Sequence, residues 1–119
     1  MELDRLIHEF RSAALEKATA LQEGDSSRDK ALHKRMTVAV KALYAAGPEG
    51  RTAFAALLKD KAPEVAAWAA AELLAQGDVS SIPVLERIAE EPGLVGLAAA
   101  MTLREHARDR LSSPFRSNV

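Results

Sequence analysis

Apolar side chains recur at three- and four-residue steps along most of the chain, interrupted by short polar, glycine- or proline-containing breaks. That spacing lines one face of an α-helix, whereas a half-buried strand alternates with period two. No such alternation is sustained, and Ala, Leu, Glu, Lys and Arg, the strong helix formers, dominate. The pattern predicts an all-α fold of about six helices. In the first, over residues 3–23, Leu3, Leu6, Ile7, Phe10, Ala14, Ala18 and Leu21 form one stripe. Gly24-Asp25-Ser26-Ser27 ends it, and Ser26 with Asp29 has the spacing of a capping box for the second helix. That helix runs to about residue 46 with Leu32, Met36, Ala39, Val40 and Leu43 inward, and Gly47-Pro48 stops it.

The third helix, over residues 49–58, carries Ala53, Phe54, Leu57 and Leu58 on its inner side. Pro63 suits the first turn of the fourth, where a missing N–H costs nothing, and Glu64 beside it complements the helix dipole. Gly77-Asp78 closes that helix. Ser80-Ser81 offers caps for the fifth, with Val84, Leu85 and Ile88 inward, and Pro92-Gly93 separates it from a sixth over 94–110. The last eight residues, 112–119, are polar and are expected to be a flexible tail.

The second half of the chain repeats itself. At an offset of 29 residues Pro63 falls on Pro92, Ala69-Ala70-Ala71 on Ala98-Ala99-Ala100, and Leu74 on Leu103. A period in this range predicts stacked helical hairpins, here 48–78 and 79–111. About three units are needed to bury a continuous core, so residues 1–47 are expected to supply a third, divergent hairpin within one domain over 1–111. The hairpin with proline at its turn and an alanine-rich second helix resembles HEAT-like repeats. More narrowly, Leu3…Leu6…Phe10, Gly47-Pro48-Glu49, Leu85-Glu86-Arg87-Ile88-Ala89 with Pro92-Gly93, and Ala100-Met101-Thr102-Leu103 resemble a bacterial family of short HEAT-like proteins classed as a domain of unknown function. Ala100 stands where that family often has glycine. The resemblance implies a fold and brings no catalytic residues with it.

Composition removes several chemistries. There is no cysteine, which excludes disulfides, thiolate nucleophiles and Cys-based metal sites. No apolar run approaches the roughly 18 residues of a membrane span, and the acidic Met1-Glu2-Leu3-Asp4 does not open like a signal peptide. The expectation is a soluble, cytoplasmic protein. His8, His33 and His106 lie on three helices with no i,i+4 pairing for a zinc site. His106 falls near the inner side of its helix and is expected to be partly buried. Glycine-rich phosphate loops and nucleophile elbows are missing, so the chain is read as non-catalytic, with no cofactor and no metal.

Two surfaces remain as candidates. Residues 48–91 hold eight acidic against four basic residues, within a chain of net charge −1. Glu64, Glu72, Glu86 and Glu90, with Trp68, are expected to form an acidic face for a protein partner, as in an accessory or immunity-type protein that neutralises an enzyme. Trp68 lies off the apolar arc of its helix, and packing against a neighbouring helix is preferred to exposure because tryptophan is mostly buried on average. The alternative surface is basic. Lys30, Lys34 and Lys41 share one side of the second helix, flanked by His33 and Arg35, and could hold nucleic-acid phosphates. Near-neutral charge and the lack of interleaved aromatics weigh against it. A second copy of the chain could cover an apolar face around Leu97 and Met101.

Overall fold

The computed structural model describes residues 2–116, which form six α-helices with no strand among them. They are α1 (Glu2–Glu23), α2 (Ser26–Ala45), α3 (Pro48–Ala55), α4 (Pro63–Ala75), α5 (Ser81–Ile88) and α6 (Gly93–Ala107), with a 3₁₀ turn at Ala56–Lys59 after α3. No helix among the described residues is long and apolar enough to cross a membrane. The chain divides into two compact units with the boundary after Ala56. It does not fall at the predicted 47/48, so α3 belongs with α1 and α2 rather than with α4.

In the first unit α1 and α2 pair along their length and α3 packs on both. Leu32, Met36, Ala39, Val40 and Leu43, the residues assigned inward from their spacing, are all buried. Phe54 stands edge-on to Phe10, with ring centroids 5.2 Å apart, and to Tyr44 at 6.1 Å. Such edge-to-face pairs add about 0.5–1.5 kcal/mol beyond area burial. The stripe of α1 differs from expectation at its far end. Leu21 is exposed and Lys17 is buried, its ammonium 2.5 Å from the Asp29 carboxylate of α2. Engaging Asp29 in this way removes it from the expected capping box. The cap is Asp25 instead, whose side chain accepts from the Arg28 N–H at 3.1 Å.

The second unit begins at Leu57. Pro63 opens α4 as expected, and the turn before it is held by the Asp60 side chain accepting from the Ala62 N–H at 2.9 Å. α4 packs against α5 and α6, and these two against each other. The core joins Ala66, Ala70 and Leu74 of α4 to Leu85 and Ile88 of α5 and Ala99 of α6. Alanine at the α4 and α6 positions lets the axes approach closely. Gly96, in the first turn of α6, has the same purpose in a sharper form: a Cβ there would stand 1.8 Å from the Glu91 carbonyl oxygen. At the start of α5 neither serine caps through its side chain. Asp78 takes over, accepting from the Ser80 N–H at 3.0 Å, while the Ser81 hydroxyl is buried without a partner among the described residues.

The expected flexible tail is a second departure. Over residues 112–116 the chain is ordered against its own unit: Phe115 is 3% exposed and its ring lies 5.8 Å from that of Trp68. The remainder of that prediction, 117–119, lies outside the described residues.

Candidate functional site

The predicted acidic face is only partly realised. Glu86 and Glu90 are exposed at α5 and its following turn, and Glu64 is half-buried in the first turn of α4. Glu72 is 1% exposed and does not belong to any surface. Its carboxylate accepts a hydrogen bond from the Ser113 hydroxyl and another from the Gln76 amide at 3.0 Å. The Ser113 hydroxyl also accepts from the Phe115 N–H at 3.1 Å. Glu72 thus ties down the segment that brings Phe115 onto Trp68. The correction has a simple cause: Trp68 and Glu72 are one helical turn apart, so whatever covers one covers the other. Trp68 is half-buried and packed, as preferred, but its aromatic partner is the tail. A lone phenylalanine after proline in a polar segment was the signal for it.

Lys30, Lys34 and Lys41 are exposed on α2, and no ion pair among the described residues engages them. Arg35, which flanks them, is turned back onto α1. It donates to Glu9 at 2.8 Å and to Glu16 at 3.3 Å, and the Glu9 hydrogen bond raises its pKa further above the ordinary arginine value. His106 is exposed, not partly buried, and no group of three or more His, Asp or Glu among the described residues is placed to hold a metal ion.

The remaining surface feature is on α6. Its buried face centres on Ala99 and Gly96, with Val95, Thr102 and Leu103 half-buried beside them. Leu97 and Met101 are each two residues from Ala99, which places both about 160° round the axis, on the outward side. They are 57% and 52% exposed, and Leu94, another turn toward the N-terminus, is 57% exposed. An outward helix face is ordinarily polar. α2 obeys this with its lysines and α5 with Glu86 and Arg87, whereas α6 presents three large apolar side chains along one line. Elsewhere the exposed large apolar residues, such as Leu15, Val38 and Val79, are scattered. Arg104 and Arg108 extend the line at the C-terminal end and are exposed, whereas the turn carrying the exposed Glu90 and Glu91 packs its backbone over the buried Gly96 face.

The internal repeat gives this face a counterpart. At the offset of 29, Leu97 corresponds to Trp68 and Met101 to Glu72. On α4 those positions are covered by Ser113 and Phe115; on α6 the equivalent positions face solvent. No protein-family model, curated protein or solved structure matches the chain.

Proposed function

We propose that this protein is a non-catalytic interaction module, built of HEAT-like helical hairpins, that binds another protein through the outer face of α6. The observation that carries the reading is the apolar line Leu94, Leu97 and Met101, uncovered where its α4 counterpart is covered from within the chain. Contiguous exposed apolar surface with a polar rim is characteristic of protein interfaces, and isolated exposed apolar residues are not. Glu86 and Glu90, exposed on α5 and the turn after it, form a separate acidic candidate that suits a partner with basic groups. What supports the repeat reading is that the echoed segments form helices of comparable length, 13 and 15 residues, with Ala70 and Ala99 buried at matching positions.

The test is capture of partners from native cells by the tagged chain, with nuclease added, beside Leu97→Glu and the pair Glu86→Lys/Glu90→Lys. A stoichiometric protein lost from Leu97→Glu is the expected result. A partner retained at full level by both variants would exclude both surfaces. A second reading, nucleic-acid binding, is favoured by one observation: the aligned and exposed Lys30, Lys34 and Lys41, engaged by no ion pair among the described residues. It requires affinity that falls steeply with salt, with a logarithmic slope reduced by about 0.9 for each lysine–duplex phosphate contact removed by alanine. Binding unchanged in the triple alanine variant would eliminate it.

A further inference from the structure

The segment that covers α4 has the form of a bound peptide. Ser113, Pro114, Phe115 and Arg116 make a β-turn closed by the Arg116 N–H, which donates to the Ser113 carbonyl at 3.3 Å. The Phe115 N–H donates to the Ser113 hydroxyl at 3.1 Å. Proline in the second position is preset for such a turn, so its shape comes from its own residues. α4 meets it with one side, the Trp68 ring against Phe115 and the Glu72 carboxylate accepting from the Ser113 hydroxyl. We infer that this side of α4 is a peptide-recognition site for a proline β-turn with a hydroxyl at its first position and an aromatic ring at its third. Residues 113–116 close it in the free chain, and a partner protein's turn of the same chemistry is the ligand that displaces them. The inference goes beyond the α6 face and does not depend on it.

Glu72 is the residue that points to recognition rather than packing. Its repeat counterpart on α6 is Met101, and an apolar residue at position 72 would pack without desolvating a charge. A carboxylate only 1% exposed costs free energy unless hydrogen bonds compensate it. One oxygen accepts from the Gln76 amide at 3.0 Å, which fixes the orientation of the group from within α4. The other oxygen meets the Ser113 hydroxyl of the docked turn. A site built around a buried acceptor rejects a segment that lacks the matching donor. Trp68, Glu72 and Gln76 follow at four-residue spacing, so ring and carboxylate are presented together by a rigid helix.

The connection to α6 explains how the chain's own turn holds the site and why it yields. Where α6 ends, the Arg110 N–H donates to the Glu105 carbonyl at 2.8 Å and the Asp109 N–H to the His106 carbonyl at 3.0 Å. Asp109 takes φ 57°, the left-handed conformation that closes many helices and disfavours side chains with a Cβ. This bend returns the chain toward α4 over a tether of a few residues. A tether so short gives the turn an effective concentration in the millimolar range. Docking within the chain then requires an intrinsic dissociation constant of about 1 mM or below. Held through side chains of a segment outside any helix, the turn opens locally at less cost than global unfolding.

The emission of Trp68, the chain's single tryptophan, reads the site directly. The test adds the end-capped peptide Ser-Ser-Pro-Phe-Arg, the sequence of residues 112–116, to the full chain carrying Ser113→Ala/Phe115→Ala. That double variant, with its helices untouched, should emit to the red of the wild type. The peptide should return the emission to the blue, with half-saturation at about 1 mM or below in a titration to about 10 mM. Peptides with alanine at the position of Ser113 or of Phe115 should each bind at least tenfold more weakly. With Glu72→Met added to the double variant, the serine and alanine peptides should bind alike, because the acceptor that tells them apart is gone. A blue shift missing up to about 10 mM overturns the inference, as does an equal response to the alanine peptides. A double variant that emits like the wild type also overturns it, since the turn is then not what covers Trp68. The α6 reading is untouched by these outcomes and is decided by the capture experiment.

Discussion

At the scale of single residues, two positions are held by one physical constraint each. Lys17 is buried with its ammonium against Asp29, while Leu21, one turn on and assigned inward by the periodic pattern, is exposed. Asp29→Asn removes the carboxylate charge that the buried ammonium meets at 2.5 Å and should lower stability by about 1–3 kcal/mol in urea titration. Lys17→Met removes charge and desolvation together, so near-neutral stability or a small gain is expected in the same measurement. Gly96 is constrained by space: its Cα approaches the Glu91 carbonyl too closely for a Cβ. Gly96→Ala should cost about 1–3 kcal/mol through overpacking, although alanine is the better helix former, and a fall in thermal midpoint would measure it.

At the scale of elements, the segment over 112–116 changes the meaning of α4. Phe115 and Ser113 convert one side of a helix that reads as an acidic, tryptophan-bearing surface into buried structure. The chain contains a single tryptophan, so its fluorescence reports this packing directly. Phe115→Ala should shift Trp68 emission to the red as water reaches the ring. Global stability should fall by only about 1–2 kcal/mol, less than the 3–5 of a central core phenylalanine, because a terminal segment can detach locally. An unshifted spectrum would show that Trp68 is shielded without Phe115. Helix existence and type were legible from the period of apolar residues, and α2 follows its pattern residue by residue. Beyond that lone phenylalanine the place of the tail was not legible, because five residues have no period; their order comes from what they meet on α4.

At the scale of the whole molecule, near-neutral charge and many alanines leave few devices for specific association, which makes the apolar line of α6 the more informative. Leu97 and Met101 contribute nothing to the core of their unit, so Leu97→Glu should leave folding stability within about 0.5 kcal/mol while altering association. A loss of several kcal/mol in denaturant titration would mean that this face is part of the fold and would remove it as a candidate surface.

The sequence by itself determined the helical class, nearly every break between helices, the inward face of α2, and the outward placement of Leu97 and Met101. Each of these follows from local spacing: a helix turns by about 100° per residue, so position along the chain dictates which side a residue faces. Only the tertiary structure decided which outward positions are covered. Trp68 and Leu97 hold equivalent places in the repeat, as do Glu72 and Met101. Glu72 is buried and Trp68 half-covered, whereas Leu97 and Met101 are exposed, because Ser113 and Phe115 reach α4 from more than 40 residues away along the chain. Burial depends on partners distant in sequence, and no periodicity within a helix can specify them.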